Sequence, residues 1–131
     1  MITIETRTEE LLCHIEDRVA VITLNKPNKK NALGDVLTPA LRRTLLVVEA
    51  DDRVGAVMIT GAGDAFCSGG DVSGMGGSSS APKSVEDRID ELTRKQETLT
   101  LRLHDLEKIT IAALPGAAAG AGLSIALACD L

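Results

Sequence analysis

Two apolar runs, each passing into a glycine-rich loop, constrain this chain more than any other feature. Ala56-Val57-Met58-Ile59-Thr60 passes through the turn Gly61-Ala62-Gly63-Asp64 into Phe66-Cys67-Ser68-Gly69-Gly70-Asp71. A second run, 109–114, passes into Pro115-Gly116-Ala117-Ala118-Ala119-Gly120-Ala121-Gly122. A short continuous apolar run bounded by glycine suits a strand buried on both faces. A strand that runs into adjacent glycines leaves backbone N–H groups bare at its end. Such groups hold a developing negative charge without using a side chain. Two loops of this kind can supply one N–H each to a single oxyanion.

The elements around these runs follow from pattern. Residues 11–15 and 19–24 are short β-prone runs separated by Glu16-Asp17-Arg18, and they read as a hairpin. Asn25-Lys26-Pro27-Asn28-Lys29-Lys30-Asn31 is a basic loop whose proline blocks strand continuation. Over 35–50 the residues Val36, Leu37, Ala40, Leu41, Leu45 and Val48 recur at helical spacing, with Pro39 in the first turns where a missing N–H is tolerated. The stretch 74–83 is rich in glycine and serine and is expected to be mobile. Ser84 is placed to cap a helix, and Val85, Ile89, Leu92, Leu99, Leu103 and Leu106 follow as one amphipathic stripe interrupted at Gln96. That stripe predicts one helix packed on the core. Small residues over 120–128 predict a tightly packed helix. Strands alternating with helices imply an α/β fold in a single unit covering 1–131. The closing Cys129-Asp130-Leu131 reads as the start of a new extended segment, so the sequence looks cut rather than closed.

Composition removes several classes of function. Hydrophobic residues make up 44% of the 131 residues, enough for a core of Leu, Ile, Val and Ala. With one Phe and no Tyr or Trp, there are no stacking platforms for single-stranded nucleic acid. A net charge of −5 also opposes a broad grip on a phosphate backbone, so no nucleic-acid partner is expected. Cys13, Cys67 and Cys129 are scattered, have no metal-ligand spacing and point to no metal, and a reduced, cytoplasmic compartment is the simplest inference. No apolar run approaches the ~20 residues that span a bilayer, and no membrane partner is expected. The N-terminus carries no signal-peptide pattern.

Three segments together resemble the crotonase superfamily, the enoyl-CoA hydratase/isomerase family. Val21-Ile22-Thr23-Leu24-Asn25-Lys26-Pro27 with Asn31-Ala32-Leu33 resembles its first signature. The 61–71 stretch, with Ala65-Phe66-Cys67-Ser68-Gly69-Gly70-Asp71, resembles its first oxyanion-hole loop. Ile111-Ala112-Ala113-Leu114-Pro115-Gly116 through Gly122, then Ala126-Leu127-Ala128-Cys129-Asp130-Leu131, resembles the second. The resemblance implies the N-terminal part of a crotonase-like spiral of ββα units. It implies an acyl-CoA thioester as substrate, with coenzyme A part of that substrate and no separate cofactor. It also implies a homo-oligomer, a trimer or hexamer, in the full-length family.

The same resemblance places the oxyanion donors on the Gly70 and Ala121 N–H groups. Ser68, Gly69, Asp71, Val72, Gly120 and Ser124 would line the substrate around them. Gly70 has no side chain to hold a substrate away, and Ala121 opens a predicted helix whose dipole favours negative charge. Asp71 is expected to fix its loop by accepting backbone N–H groups. Lys26, Lys29 and Lys30 read either as solvated charges or, near the nucleotide end of CoA in the family, as a phosphate contact. Cys67, His14 and His104 read as structural.

One position departs from the family's hydratases. The first of their two carboxylates falls where this chain has Ser124. A serine hydroxyl without an activating neighbour is a poor general base. The second carboxylate of the family falls beyond residue 131. Isomerase-like chemistry, which needs one acid and an oxyanion hole, is therefore expected ahead of two-carboxylate hydration. Two other readings stay open: a catalytically inactive fragment that binds acyl-CoA, and a nucleotide-binding α/β domain. The second rests on Gly61-Ala62-Gly63 after a strand, with Phe66 where a third glycine would belong.

Overall fold

The computed structural model describes residues 1–70, 84–95 and 99–131. In chain order the elements are β1 (Ile2–Ile4), β2 (Leu11–Glu16), β3 (Val19–Leu24), a 3-10 turn (Pro27–Lys29), α1 (Leu37–Ala50), β4 (Ala56–Gly61), β5 (Ala65–Cys67), α2 (Val85–Lys95), α3 (Leu101–His104), β6 (Ile109–Ala113), β7 (Ala117–Ala118) and α4 (Ala121–Ala128). The expected stretch 74–83 lies outside the described residues.

The hairpin forms as its pattern predicts. β2 and β3 pair antiparallel from Leu11 opposite Leu24 to Glu16 opposite Val19. Asp17 and Arg18 close it with φ of 51° and 67°, the left-handed pair that matches the twist of a two-residue hairpin. Alternation then decides the faces. Leu11, Cys13, Ile15, Ala20, Ile22 and Leu24 turn into one core with Leu37, Ala40, Leu41, Leu45 and Val48 of α1. Pro39 stands in the first turn of α1.

β4 runs parallel to β3 and to β6, giving a five-stranded sheet in the order β1-β2-β3-β4-β6. Its run of apolar residues predicts burial on both faces, but burial alternates. Val57 and Ile59 are buried, whereas Ala56, Met58 and Thr60 are only half-buried. The core thus sits mainly on one side of this sheet.

β5 and β7 form a separate two-stranded parallel ribbon, with Ala65 opposite Ala117 and Cys67 opposite Ala118. Neither strand is legible in the sequence, because two or three residues carry no period. Two successive strand–strand–helix units result. Their first strands, β4 and β6, share the large sheet, and their second strands, β5 and β7, share the small one. This repeat is the expected spiral, and it argues against a single doubly wound nucleotide-binding sheet.

The stripe after Ser84 departs from its expected burial at its start. Ser84 does cap it, its Oγ accepting the Asp87 N–H at 3.1 Å. The described helical spans are Val85–Lys95 (α2) and Leu101–His104 (α3), with 96–98 outside the described residues. Leu99, Leu103 and Leu106 join the core, while Val85 and Ile89 are 72% and 58% exposed. Among the described side chains of α2, Val85 and Ile89 stand among Glu86, Asp87, Arg88, Asp90 and Glu91, a mostly polar set. After α4 the chain turns extended and returns along β6. The Leu131 N–H donates to the Thr110 carbonyl at 3.1 Å, and the Ala112 N–H donates to Leu131 at 2.9 Å.

Candidate functional site

Three segments converge at one corner of the fold: the basic loop after β3, the end of β5 and the start of α4. The basic loop folds back on itself through Lys30 and Asn31, whose φ values are 53° and 57°. Asn tolerates this region better than most residues. Asn31 is fully buried. Its Oδ1 accepts the Lys26 N–H at 2.8 Å, and its Nδ2 donates to the Ala62 and Ala65 carbonyls at 3.0 and 2.9 Å. The backbone continues this stitching. The Ser68 N–H donates to Lys30 at 2.9 Å, and the Leu33 N–H donates to Gly69 at 2.7 Å. Leu33 and Gly70 thereby face each other as an isolated parallel bridge that takes up the Gly69 carbonyl and leaves the Gly70 N–H aside.

The end of β5 is locked to the start of α4 in turn. The Ala119 N–H donates to the Cys67 carbonyl at 3.0 Å. A Cβ on Gly122 would meet the Cys67 Cβ at 2.6 Å, so only glycine lets the helix approach this strand. Gly69 and Gly120 adopt φ of 108° and 53°, which glycine reaches without strain. They also lie against each other. A Cβ on Gly69 would sit 3.7 Å from the Ala121 nitrogen and 3.8 Å from the Gly120 Cα. The first loop therefore rests on the N-terminus of the eight-residue helix α4.

Among the described residues, neither the Gly70 nor the Ala121 N–H has a hydrogen-bond acceptor. Ala121 occupies the first helical position, where an N–H has no partner within its own helix. Ala119, Gly120, Ala121 and Ser124 are exposed and Gly70 is half-buried, so the corner is open to solvent. Of the residues the sequence assigned to the site, Ser68, Gly69, Gly70, Gly120, Ala121 and Ser124 lie on these two adjoining loops and the first turn of α4. Asp71 and Val72 lie outside the described residues.

The side chains nearby are structural in their bonding. The Ser124 hydroxyl donates to the Gly120 carbonyl one turn back, at 3.4 Å. Burial pushes the Cys67 thiol above its ordinary range, so it stands protonated at neutral pH. Cys13 and Cys129 are likewise pushed up by burial, each to about 11. Lys26 is not a solvated charge. Its side chain is 12% exposed, and Nζ meets Glu10 at 3.5 Å and the Ala32 carbonyl at 3.1 Å. Lys30 pairs with Asp64 at 2.9 Å in the open and holds that carboxyl below its ordinary value. Among the described residues, His14 pairs with Glu16 and His104 with Asp105. A shallow cleft lined by Glu5, Thr6, Arg7, Arg43, Thr44 and Val47 contains none of the loop residues. Among the described residues no cluster could hold a metal ion, and no helix is long and apolar enough to cross a membrane.

Asn31 is the residue whose role the sequence did not disclose. It stood in the first signature, but a buried amide and a buried turn residue look alike before the neighbouring carbonyls are placed.

Comparison with known proteins gives one consistent result. Residues 14–131 match the family described as enoyl-CoA hydratase/isomerase. The chain is 38% identical over 130 residues to a probable enoyl-CoA hydratase of Mycobacterium tuberculosis, covering 94% of this chain and 46% of that protein. It is 36% identical over 123 residues to the 1,2-epoxyphenylacetyl-CoA isomerase of Escherichia coli, with the same two coverages. The crystal structure of an enoyl-CoA hydratase/isomerase from Xanthobacter autotrophicus superposes with a TM-score of 0.82 at 36% identity, over 93% of this chain and 44% of that one. The chain thus spans about half the length of the relatives it matches.

Proposed function

Since this chain belongs to the enoyl-CoA hydratase/isomerase family, we propose that its Gly70 and Ala121 N–H groups together polarise the carbonyl of an acyl-CoA thioester. When a base removes a proton beside that carbonyl, the C–H electron pair moves into the new C=C bond. The carbonyl π pair moves onto oxygen, and the two donors hold the resulting enolate. Ser68, Gly69, Asp71, Val72, Gly120 and Ser124 line the substrate around that oxygen. Coenzyme A enters as part of the substrate.

The observation that carries this reading is the meeting of two loops whose donor N–H groups lack acceptors among the described residues. The 3.7 Å approach of a Gly69 Cβ position to the Ala121 nitrogen supports the reading by setting the two loops side by side. Ser124 supports the isomerase-like branch. Its hydroxyl donates to the Gly120 carbonyl, and among the described residues no base is hydrogen-bonded to it. The proton is then moved by one carboxylate from the part of the longer relatives that this chain does not span. In the whole protein we place the chain within a cytoplasmic trimer or hexamer; the exposed Leu123 and Leu127 of α4 would support such packing.

Ala121→Pro tests the donor. Proline is well accepted at the first helical position, so it removes the N–H with little cost to α4. Turnover of an enoyl-CoA by the intact protein is expected to fall ~10²–10³-fold in kcat. An unchanged kcat in a folded variant would overturn the assignment. The observation on Ser124 also favours a second reading, a chain that binds acyl-CoA without turning it over. Binding by the 131-residue chain without catalysis fits that reading. Turnover by that chain alone at the rate of the intact protein excludes it.

A further inference from the structure

We propose that Asn31 is a positioning residue for the Gly70 donor, acting through the backbone that carries it; this rests on the reading of Gly70 as an oxyanion donor. Asn31 is fully buried in a left-handed conformation at φ 57°. One amide ties three segments together: the start of the basic loop at Lys26, the turn before β5 at Ala62, and β5 itself at Ala65. These bonds need one acceptor and two donors from a single planar group, which only Asn or Gln supplies. Asn is the shorter, and the more tolerant of this backbone region.

What Asn31 fixes is continuous with Gly70. The residues on either side of it complete the frame, since Lys30 accepts from Ser68 and Leu33 donates to Gly69. Those two bonds are the described backbone restraints on the strand end immediately before the donor. If the Asn31 amide is lost, the buried Ala65 carbonyl and the half-buried Ala62 carbonyl lose their donor and the loop can shift relative to β5. Gly70 then moves more than Ala121, because Ala121 is also held by the helix α4 that it opens. A positioning role therefore predicts an unequal effect on the two donors.

Asn31→Gly keeps the left-handed backbone available and removes all three side-chain bonds. Asn31→Asp keeps the acceptor and the shape but not the amide donors. The two backbone amides are followed by NMR in the full chain while butanoyl-CoA is added. In the unsubstituted chain both the Gly70 and Ala121 amide resonances are expected to move. In the variants the Ala121 shift is expected to persist and the Gly70 shift to fall by roughly half or more, in line with loss of donor alignment. In the intact protein kcat is expected to fall by about tenfold or more with KM little changed. A lowered melting temperature with equal responses at both amides, or with an undiminished Gly70 response, would overturn the positioning role while leaving the oxyanion reading intact. If neither amide moves in the unsubstituted chain, the oxyanion reading falls and this inference with it. If Asn31→Gly fails to fold, Asn31→Asp decides the question.

Discussion

A methyl group on Gly122 would meet Cys67 at 2.6 Å, Cβ to Cβ, and press on the Cys67 carbonyl as well. Neither atom belongs to the movable end of a side chain, so the clash has no cheap escape. Gly122→Ala is expected to destabilise the chain by about 1–3 kcal/mol, the usual cost of overpacking. Urea unfolding measures it. Cys67→Ala in the same chain should not rescue the loss, because the obstructing Cβ and carbonyl remain. An unchanged unfolding midpoint in the single variant would mean that α4 has room to retreat from β5. At this scale the sequence was partly legible. Gly69, Gly70, Gly120 and Gly122 stood out as a group, but their separate duties did not. Gly69 and Gly120 meet a backbone need, and Gly122 meets a packing need. The role of Asn31 was hidden, because its three partners come from segments up to 34 residues away.

The elements divide by how much local pattern they carry. The β2–β3 hairpin and α1 were readable, since six-residue alternation and a fourteen-residue helical stripe each repeat their period. β5 and β7 were not, since three and two residues carry none. The stripe after Ser84 was misleading. It continues in phase from Val85 to Leu106, but among its described side chains Leu99, Leu103 and Leu106 enter the core while Val85 and Ile89 remain exposed. A direct consequence concerns Ile89. Ile89→Lys should leave the unfolding free energy within about 0.5 kcal/mol, as for other exposed positions away from special contacts. Leu103→Ala should cost about 2–5 kcal/mol by cavity formation. Equal losses for both in urea unfolding would place α2 on the core after all.

Across the whole molecule, acid stability depends on carboxylates held ionised by partners. The Arg53 guanidinium, hydrogen-bonded to Asp51 at the end of α1, holds that carboxyl at about 2 against an ordinary 3.8. Lys30 lowers Asp64 in the same direction. A depressed folded-state value gives stability that is present above the unfolded value and lost as pH falls through the folded one. The acid limb from these groups therefore lies between about pH 4 and pH 2, and solvent screening keeps it modest. Arg53→Gln should flatten that limb, read as ellipticity against pH, with the loss of stability larger at pH 7, where the contribution is fully present, than at pH 3, where it is already partly lost. An identical acid limb in the variant would remove Asp51 from the account. The α/β class, the hairpin, the first long helix and the two glycine-rich loops were determined by the sequence alone, because each is written in residues adjacent along the chain. The family was legible too, through three motifs in order. Only the tertiary structure decided that β5 pairs with β7, that the first loop rests against the start of α4, and that Asn31 ties the basic loop to the turn before β5 and to β5 itself. These are contacts between segments far apart in sequence, and their geometry is set by packing rather than by local preference.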